Sequence, residues 1–178
     1  AYLFTVSGSA SWGSAQQSIV VTNPSIPQTN NFTMSSWVKI IPKPSPYNDR
    51  PHTIMERWDG NGNAVFRYQI SNTSNYYSGE TCLLGDRPRI VSCPILNFNE
   101  WHHHVISYDG NSFKQYIDGQ LMNEYPIIIQ LPISNANLTL GETHMSNGHW
   151  LFFNGIMDEV RYYNRALTQA EISYLATH

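Results

Sequence analysis

The sequence predicts an all-β fold, a two-sheet antiparallel sandwich with one short C-terminal helix, and three stretches predict it. In Asn31-Phe-Thr-Met-Ser-Ser-Trp-Val-Lys-Ile40, the residues Phe32, Met34, Ser36, Val38 and Ile40 alternate with Thr33, Ser35, Trp37 and Lys39, the period of a strand between a buried and a wetter face. The second stretch runs from Trp101 through Tyr108-Asp-Gly110 and on from Phe113 to Asp118-Gly119. Each half is a strand-like run ending in Asp-Gly, the strongest short-range hairpin signal. Near the C-terminus, Ile156–Tyr162 alternates again, and Thr168 with Glu171 three residues later forms a capping box that opens a helix. Leu167 before the cap and Ile172 within the helix form the matching hydrophobic staple. About a dozen short strands and one clear helix leave a sandwich as the architecture.

Composition agrees with many short strands. Only 13% of the 178 residues are charged while 41% are hydrophobic, with 11 Tyr, 7 Phe and 5 Trp. That length suits one domain over residues 1–178. A net charge of -3 gives no basic footprint, so nucleic acid and acidic membrane surfaces are poor partners. No apolar run approaches the roughly 18 to 20 residues of a spanning helix, which argues against membrane insertion. No signal peptide opens the chain, as expected of a mature or excised piece of an exported protein.

Taken in order, Tyr2–Val6 and Ser18–Thr22 read as short opening strands. The segment holding Pro42, Pro44, Pro46 and Pro51 cannot join a ladder and reads as an exposed loop. His52–Trp58 and Ala64–Ser71 form a hairpin around Asp59-Gly-Asn-Gly62. Its polar load is unusual: Glu56 is placed on one face with Ile54 and Trp58, Arg57 on the other, and Arg67 alternates with Phe66 and Tyr68. Asn72–Gly79, with Tyr76 and Tyr77, leads into an irregular segment containing Cys82, Asp86, Arg87, Arg89 and Cys93. Cys82 and Cys93 are expected to be joined as a disulfide closing that segment, which fits an oxidising compartment; the alternative is two buried thiols. Ile127–Leu131 and Leu138–Gly141 supply further strands. In the last strand Ile156, Asp158, Val160 and Tyr162 are expected on the inward row, with Asp158 the exception in polarity.

These motifs carry a family resemblance. Phe32 through Trp37-Val-Lys39, Trp101-His-His followed by Tyr108-Asp-Gly110 and Tyr116-Ile-Asp-Gly119, and Asn154-Gly-Ile-Met-Asp-Glu-Val-Arg-Tyr-Tyr-Asn-Arg-Ala-Leu167 closed by Glu171-Ile172 resemble the signature of laminin-G-like, pentraxin-like jelly rolls. These belong to the concanavalin A-like lectin and glucanase superfamily. The resemblance covers about residues 31–177; the first thirty residues match loosely. It implies a jelly roll and, as possible functions, carbohydrate binding, protein adhesion or glycoside hydrolysis.

The residues discriminate among these. Laminarinase-like relatives carry Glu-x-Asp-x-x-Glu on one strand so that acid and nucleophile flank a single bond. Here the nearest runs, Glu56-Arg-Trp-Asp59 and Asp158-Glu159, have the wrong spacing or opposite faces, which disfavours a hydrolase or lyase. His102 and His104 share a strand face and could approach zinc, yet a third ligand is not evident, and packing and hydrogen bonding account for them better. An inward Asp158 needs donors, an arginine or a cation. The resemblance implies a structural calcium as one such partner. The pentraxin calcium pair is put in doubt by Leu140-Gly141-Glu142 continuing as Thr143-His144-Met145, without a second acidic ligand.

Sugars are held by aromatic rings on their CH faces and by planar polar side chains on their hydroxyls. The middle of the chain concentrates these types. Glu56, Arg67, Asp86 and Arg89 are the expected polar contacts, and Tyr68, Tyr76, Tyr77 and Trp150 the expected stacking contacts. The expectation is therefore a non-catalytic glycan- or polysaccharide-binding module that takes its glycan on the concave face or the rim loops, extracellular, cut from a larger multidomain parent. The alternative is a laminin-G-type protein-binding adhesion domain.

Overall fold

The computed structural model describes residues 8–10, 18–22, 31–43, 51–58, 64–72, 76–84, 87–128, 136–144 and 150–178, with 8–10, 58, 64–65, 71–72, 76–84, 87–96, 143–144 and 150–151 described in backbone only. One sheet consists, in spatial order, of β1 (Gly8–Ala10), β14 (Gly155–Tyr163), β3 (Phe32–Ile40), β8 (Trp101–Tyr108), β9 (Ser112–Ile117) and β10 (Gln120–Pro126). The second consists of β2 (Ile19–Val21), β11 (Leu138–Leu140), β4 (His52–Trp58), β5 (Ala64–Asn72), β6 (Tyr76–Leu84) and β7 (Arg87–Asn97). A small ribbon pairs β12 (Glu142–His144) with β13 (Trp150–Phe152). Both large sheets are antiparallel throughout, and the helix α1 (Gln169–Leu175) is the single helix among the described residues. The architecture is the two-sheet jelly-roll sandwich that the patterning predicts.

The core lies between the sheets. Phe32, Met34, Val38 and Ile40 of β3 face Phe66, Tyr68 and Ile70 of β5, joined by Ile106, Tyr108, Leu138, Leu140 and Tyr162. Burying each such side chain contributes about 1.5–3 kcal/mol relative to leaving it in water. Tyr162 bridges the sheets, its ring stacked on Phe32 at 6.1 Å and on Phe66 at 5.8 Å.

Helix α1 has its own packing site on the outer face of the first sheet. Leu167 and Ile172 pack there with Val105 and Tyr116. The capping box is formed: the Glu171 N–H donates to the Thr168 hydroxyl, and the Thr168 N–H donates to the Glu171 carboxylate at 2.8 Å. Arg165 grips the same carboxylate from 2.9 and 2.5 Å. This hydrogen bond, helped by the Thr168 donors, brings the Glu171 carboxyl down to about 2. The Thr33 hydroxyl ties the helix entry to β3 by donating to the Arg165 carbonyl and accepting the Leu167 N–H.

Several elements differ from the sequence expectation. Tyr2–Val6 lies outside the described residues. The cysteine segment is a long hairpin, β6–β7, in which Leu84 pairs with Arg87 and only two residues intervene. After Asp118 and Gly119, both at positive φ (49 and 78), the chain returns immediately as β10, as a tight hairpin turn with two left-handed residues requires. Because β10 is an edge strand exposed on both faces, its sequence carries no alternation to announce it. Residues 127 and 128, where a strand was expected to begin, are not in a strand.

Two β-bulges change which residues face inward. In β14 the pairing passes from Asp158–Trp37 to Arg161–Ser35, and Glu159 takes φ 52. The inward residues are therefore Met157, Val160 and Tyr162. Asp158 faces out, opposite Trp37, which corrects its expected place on the inward row. In β4 the register shifts between Thr53 and Met55, so Ile54 and Met55 both join the core and Glu56 turns to the outer face, away from Ile54.

Candidate functional site

The outer face of the second sheet carries a polar row built by neighbouring strands. Strand alternation puts Arg67 and Gln69 on the face opposite Phe66, Tyr68 and Ile70. The bulge in β4 brings Glu56 and Thr53 to the same face, where the register pairs Glu56 with Arg67 and Thr53 with Gln69. Thr139 of β11 lies beside Glu56. The Arg67 guanidinium donates to Glu56 Oε1 from Nε at 2.8 Å and from Nη2 at 2.5 Å. Gln69 Nε2 donates to the Thr53 hydroxyl at 2.9 Å. The whole row is buried: Thr53 is 0% exposed, Glu56 1%, Gln69 5%, Thr139 6% and Arg67, the least covered, 9%.

The chemistry of this row follows from the pairing. A buried carboxylate and guanidinium cancel in charge, and their energetic worth lies in geometry, since removing either partner strands the other. What the row offers is planar donors and acceptors, held by strands rather than loops.

The structure brings together two of the residues nominated from sequence and separates others. Glu56 and Arg67 are cross-strand partners. Tyr68 points inward, fully buried in the core, which corrects its expected stacking role. Tyr76, Tyr77 and Arg89 lie on β6 and β7, and Trp150 on β13, with their side chains outside the described residues; Asp86 lies outside them altogether. The ladder pairs Cys82 with Arg89 and Ser92 with Gly79, so Cys82 and Cys93 are not cross-strand partners; their side chains are not described. Thr53, Gln69 and Thr139 were missed. Gln69 was legible, two residues beyond Arg67, whereas placing Thr53 needs the bulge.

Arg57, expected on the opposite face from Glu56, lies on the core side opposite Phe66 and Leu138, where its Nε donates to the Ala136 carbonyl at 3.1 Å. Burial lowers its pKa, while the nearby Tyr162 acts in the opposite direction.

The histidine run is structural in its contacts. His102 Nδ1 donates to Asp118 Oδ2 at 2.8 Å, and the other oxygen of Asp118 accepts the His103 N–H. Burial alone would raise the Asp118 carboxyl, but these hydrogen bonds hold it below the usual range. On the opposite face His103 Nε2 meets the Ser35 hydroxyl at 2.8 Å, and burial pushes its pKa down to about 4. No group of three or more His, Cys, Asp or Glu among the described residues is placed to hold a metal ion. Asp158 Oδ1 accepts the Glu159 N–H at 2.7 Å, and Glu159 pairs with Arg161. Facing outward beside an ion pair, Asp158 does not have the inward setting from which calcium was inferred.

A family model described as the concanavalin A-like lectin/glucanases superfamily matches residues 13–173. No curated protein matches the sequence. Among solved structures, the native heptameric SAP-like pentraxin of Limulus polyphemus is similar at TM-score 0.77 with 13% identity, over 96% of this chain and 81% of that one. Domain 4 of AbnA, a GH43 extracellular arabinanase from Geobacillus stearothermophilus solved with arabinotriose, gives 0.62 and 17%, over 98% and 82%. The Ruminococcus gnavus IT-sialidase CBM40 bound to alpha2,3 sialyllactose gives 0.66 and 15%, over 83% of each chain.

Proposed function

This chain belongs to the concanavalin A-like lectin/glucanases superfamily, and from that premise we propose that it is a non-catalytic carbohydrate-binding module that takes a glycan on the outer face of its second sheet. The observation that carries this reading is the row Thr53, Gln69, Glu56, Arg67 and Thr139, polar side chains paired across strands on the side of the sheet away from the core and closely covered, so that a glycan would meet it first at Arg67, its least buried member. Because Glu56 already neutralises Arg67, the row suits vicinal hydroxyls better than a sugar carboxylate. The commitment of Glu56 to Arg67 also fits binding better than hydrolysis, which needs a carboxyl able to exchange a proton with the substrate. Two fold neighbours were solved with sugars, arabinotriose and alpha2,3 sialyllactose, which supports the same class of ligand here. An extracellular setting and a multidomain parent complete the proposal.

The test is a glycan array run with the protein, followed by incubation of each bound glycan and assay for released ends. Binding to neutral glycans without cleavage supports the module. Cleavage would make it an enzyme, and binding to a protein partner with no glycan competition would make it an adhesion domain.

A further inference from the structure

On the outer face of the first sheet, the strand registers define successive cross-strand rows. One row aligns Ile156, Lys39 and Trp101; the next aligns Asp158, Trp37 and His103. In the row after that, Val105 and Tyr116 lie under helix α1 with Leu167 and Ile172. The helix thus accounts for the apolar side chains at its end of the face, where Tyr116 is 4% exposed. The contrast is at the other end, where Trp101 is 42% exposed on a regular strand.

Trp37 is fixed in place. Its ring lies over His103 at 5.3 Å, tilted by 35°, and His103 is held from below by Ser35. Trp37 and Trp101 are diagonal neighbours, a spacing of about 7–8 Å on a sheet surface. The bulge at Glu159 turns Asp158 onto the same face, and Lys39 brings a cation to the next row. Glu159 and Arg161 form an ion pair beside them.

We propose that this face is a second carbohydrate platform, with Trp101 and Trp37 stacking on neighbouring rings of one neutral oligosaccharide and Asp158 and Lys39 hydrogen-bonding its hydroxyls. Indole faces engage the CH faces of sugar rings, and planar or pointed polar groups at the border orient them. A cation and an anion flank the indoles and the adjacent ion pair is closed, so the platform has no net charge to recruit an acidic polymer. The proposal stands on its own face and does not rest on the polar row of the second sheet.

The test follows the indole N–H signals of the protein by NMR during titration with an array of neutral linear oligosaccharides. The signals of Trp101 and Trp37, identified with Trp101→Phe and Trp37→Phe, are expected to shift with at least one of them. Trp101→Ala weakens that binding by about tenfold or more, whereas Trp101→Phe keeps most of it. Because Trp101 is 42% exposed, Trp101→Phe is expected to melt like the parent and Trp101→Ala to stay folded. A sugar bound only on the second sheet leaves these two indoles unmoved, so failure here is distinct from failure there. The proposal is overturned if no neutral oligosaccharide moves the two indoles, or if folded Trp101→Ala binds as tightly as the parent.

Discussion

The outer faces of the two sheets solve different problems. On the first, Val105 and Tyr116 project away from the core and would be exposed apolar surface, but helix α1 lays Leu167 and Ile172 over them. On the second, the outward positions of β4 and β5 are filled by Thr53, Gln69, Glu56 and Arg67, which satisfy one another across the ladder. An apolar outward row calls for a cover from the same chain. A paired polar row satisfies itself and so tolerates burial: its members are 0–9% exposed, with Arg67 the least covered.

The comparison is sharpened most by removing one partner of the polar row. Arg67→Ala strands a buried carboxylate and is expected to cost about 3–5 kcal/mol in denaturant unfolding. The double variant Glu56→Gln, Arg67→Met removes the charges together and should recover most of that loss. If Arg67→Ala alone unfolds at the same denaturant concentration as the parent, the row is more solvated than its burial implies.

On the helical side, Ile172→Ala empties a fully buried position and is expected to cost about 2–5 kcal/mol while leaving glycan affinity on the second sheet intact. A variant that stays stable and loses that affinity would break the division of roles.

Acid acts on a different set of groups, the buried histidines. His103 is buried beneath Trp37 with its pKa down to about 4, while an unfolded histidine titrates near 6.5. The unfolded state therefore takes up a proton first, and stability that is complete above pH 6.5 is lost as the pH falls toward 4. The loss from His103 is about 3 kcal/mol. His52 acts in the same direction, its pKa lowered well below normal by burial and then by Lys43. Thermal melts from pH 7 to 4 on the parent and on His103→Gln should show a shallower decline in the variant. The Glu171 and Asp109 carboxyls, both held to about 2, protonate below that window: stability present above about pH 4 is lost as the pH falls toward 2. For Asp109, burial acts upward and is overcome by Lys114 and by the Asn111 and Ser112 N–H donors.

Smallest is the cap. Thr168→Ala removes a formed capping box and is expected to cost about 0.5–2 kcal/mol, read from the melting midpoint, with binding unchanged.

How far the chain could be read in advance follows the same division. Strands β3, β8 and β9 and helix α1 were legible because their signals are local: alternation, Asp-Gly turns, and a Thr and a Glu three residues apart. Glu56 and Arg67 stood out as polar residues on apolar strands, but their partnership did not, because it depends on a register shift that no residue type announces. The same holds at Glu159, an ordinary residue at positive φ, whose bulge turned Asp158 outward and removed the premise for calcium. The β6–β7 hairpin was mistaken for an irregular segment because Pro88, Pro94 and two cysteines masked its period.

The measurement that bears most directly on the account is a glycan array comparing Trp101→Ala with the triple variant Trp101→Ala, Glu56→Gln, Arg67→Met, so that binding on the first sheet is weakened equally in both. The polar row predicts that the first protein binds neutral glycans and that the second, still folded, has lost them. A folded triple variant that binds every glycan its parent binds would contradict it.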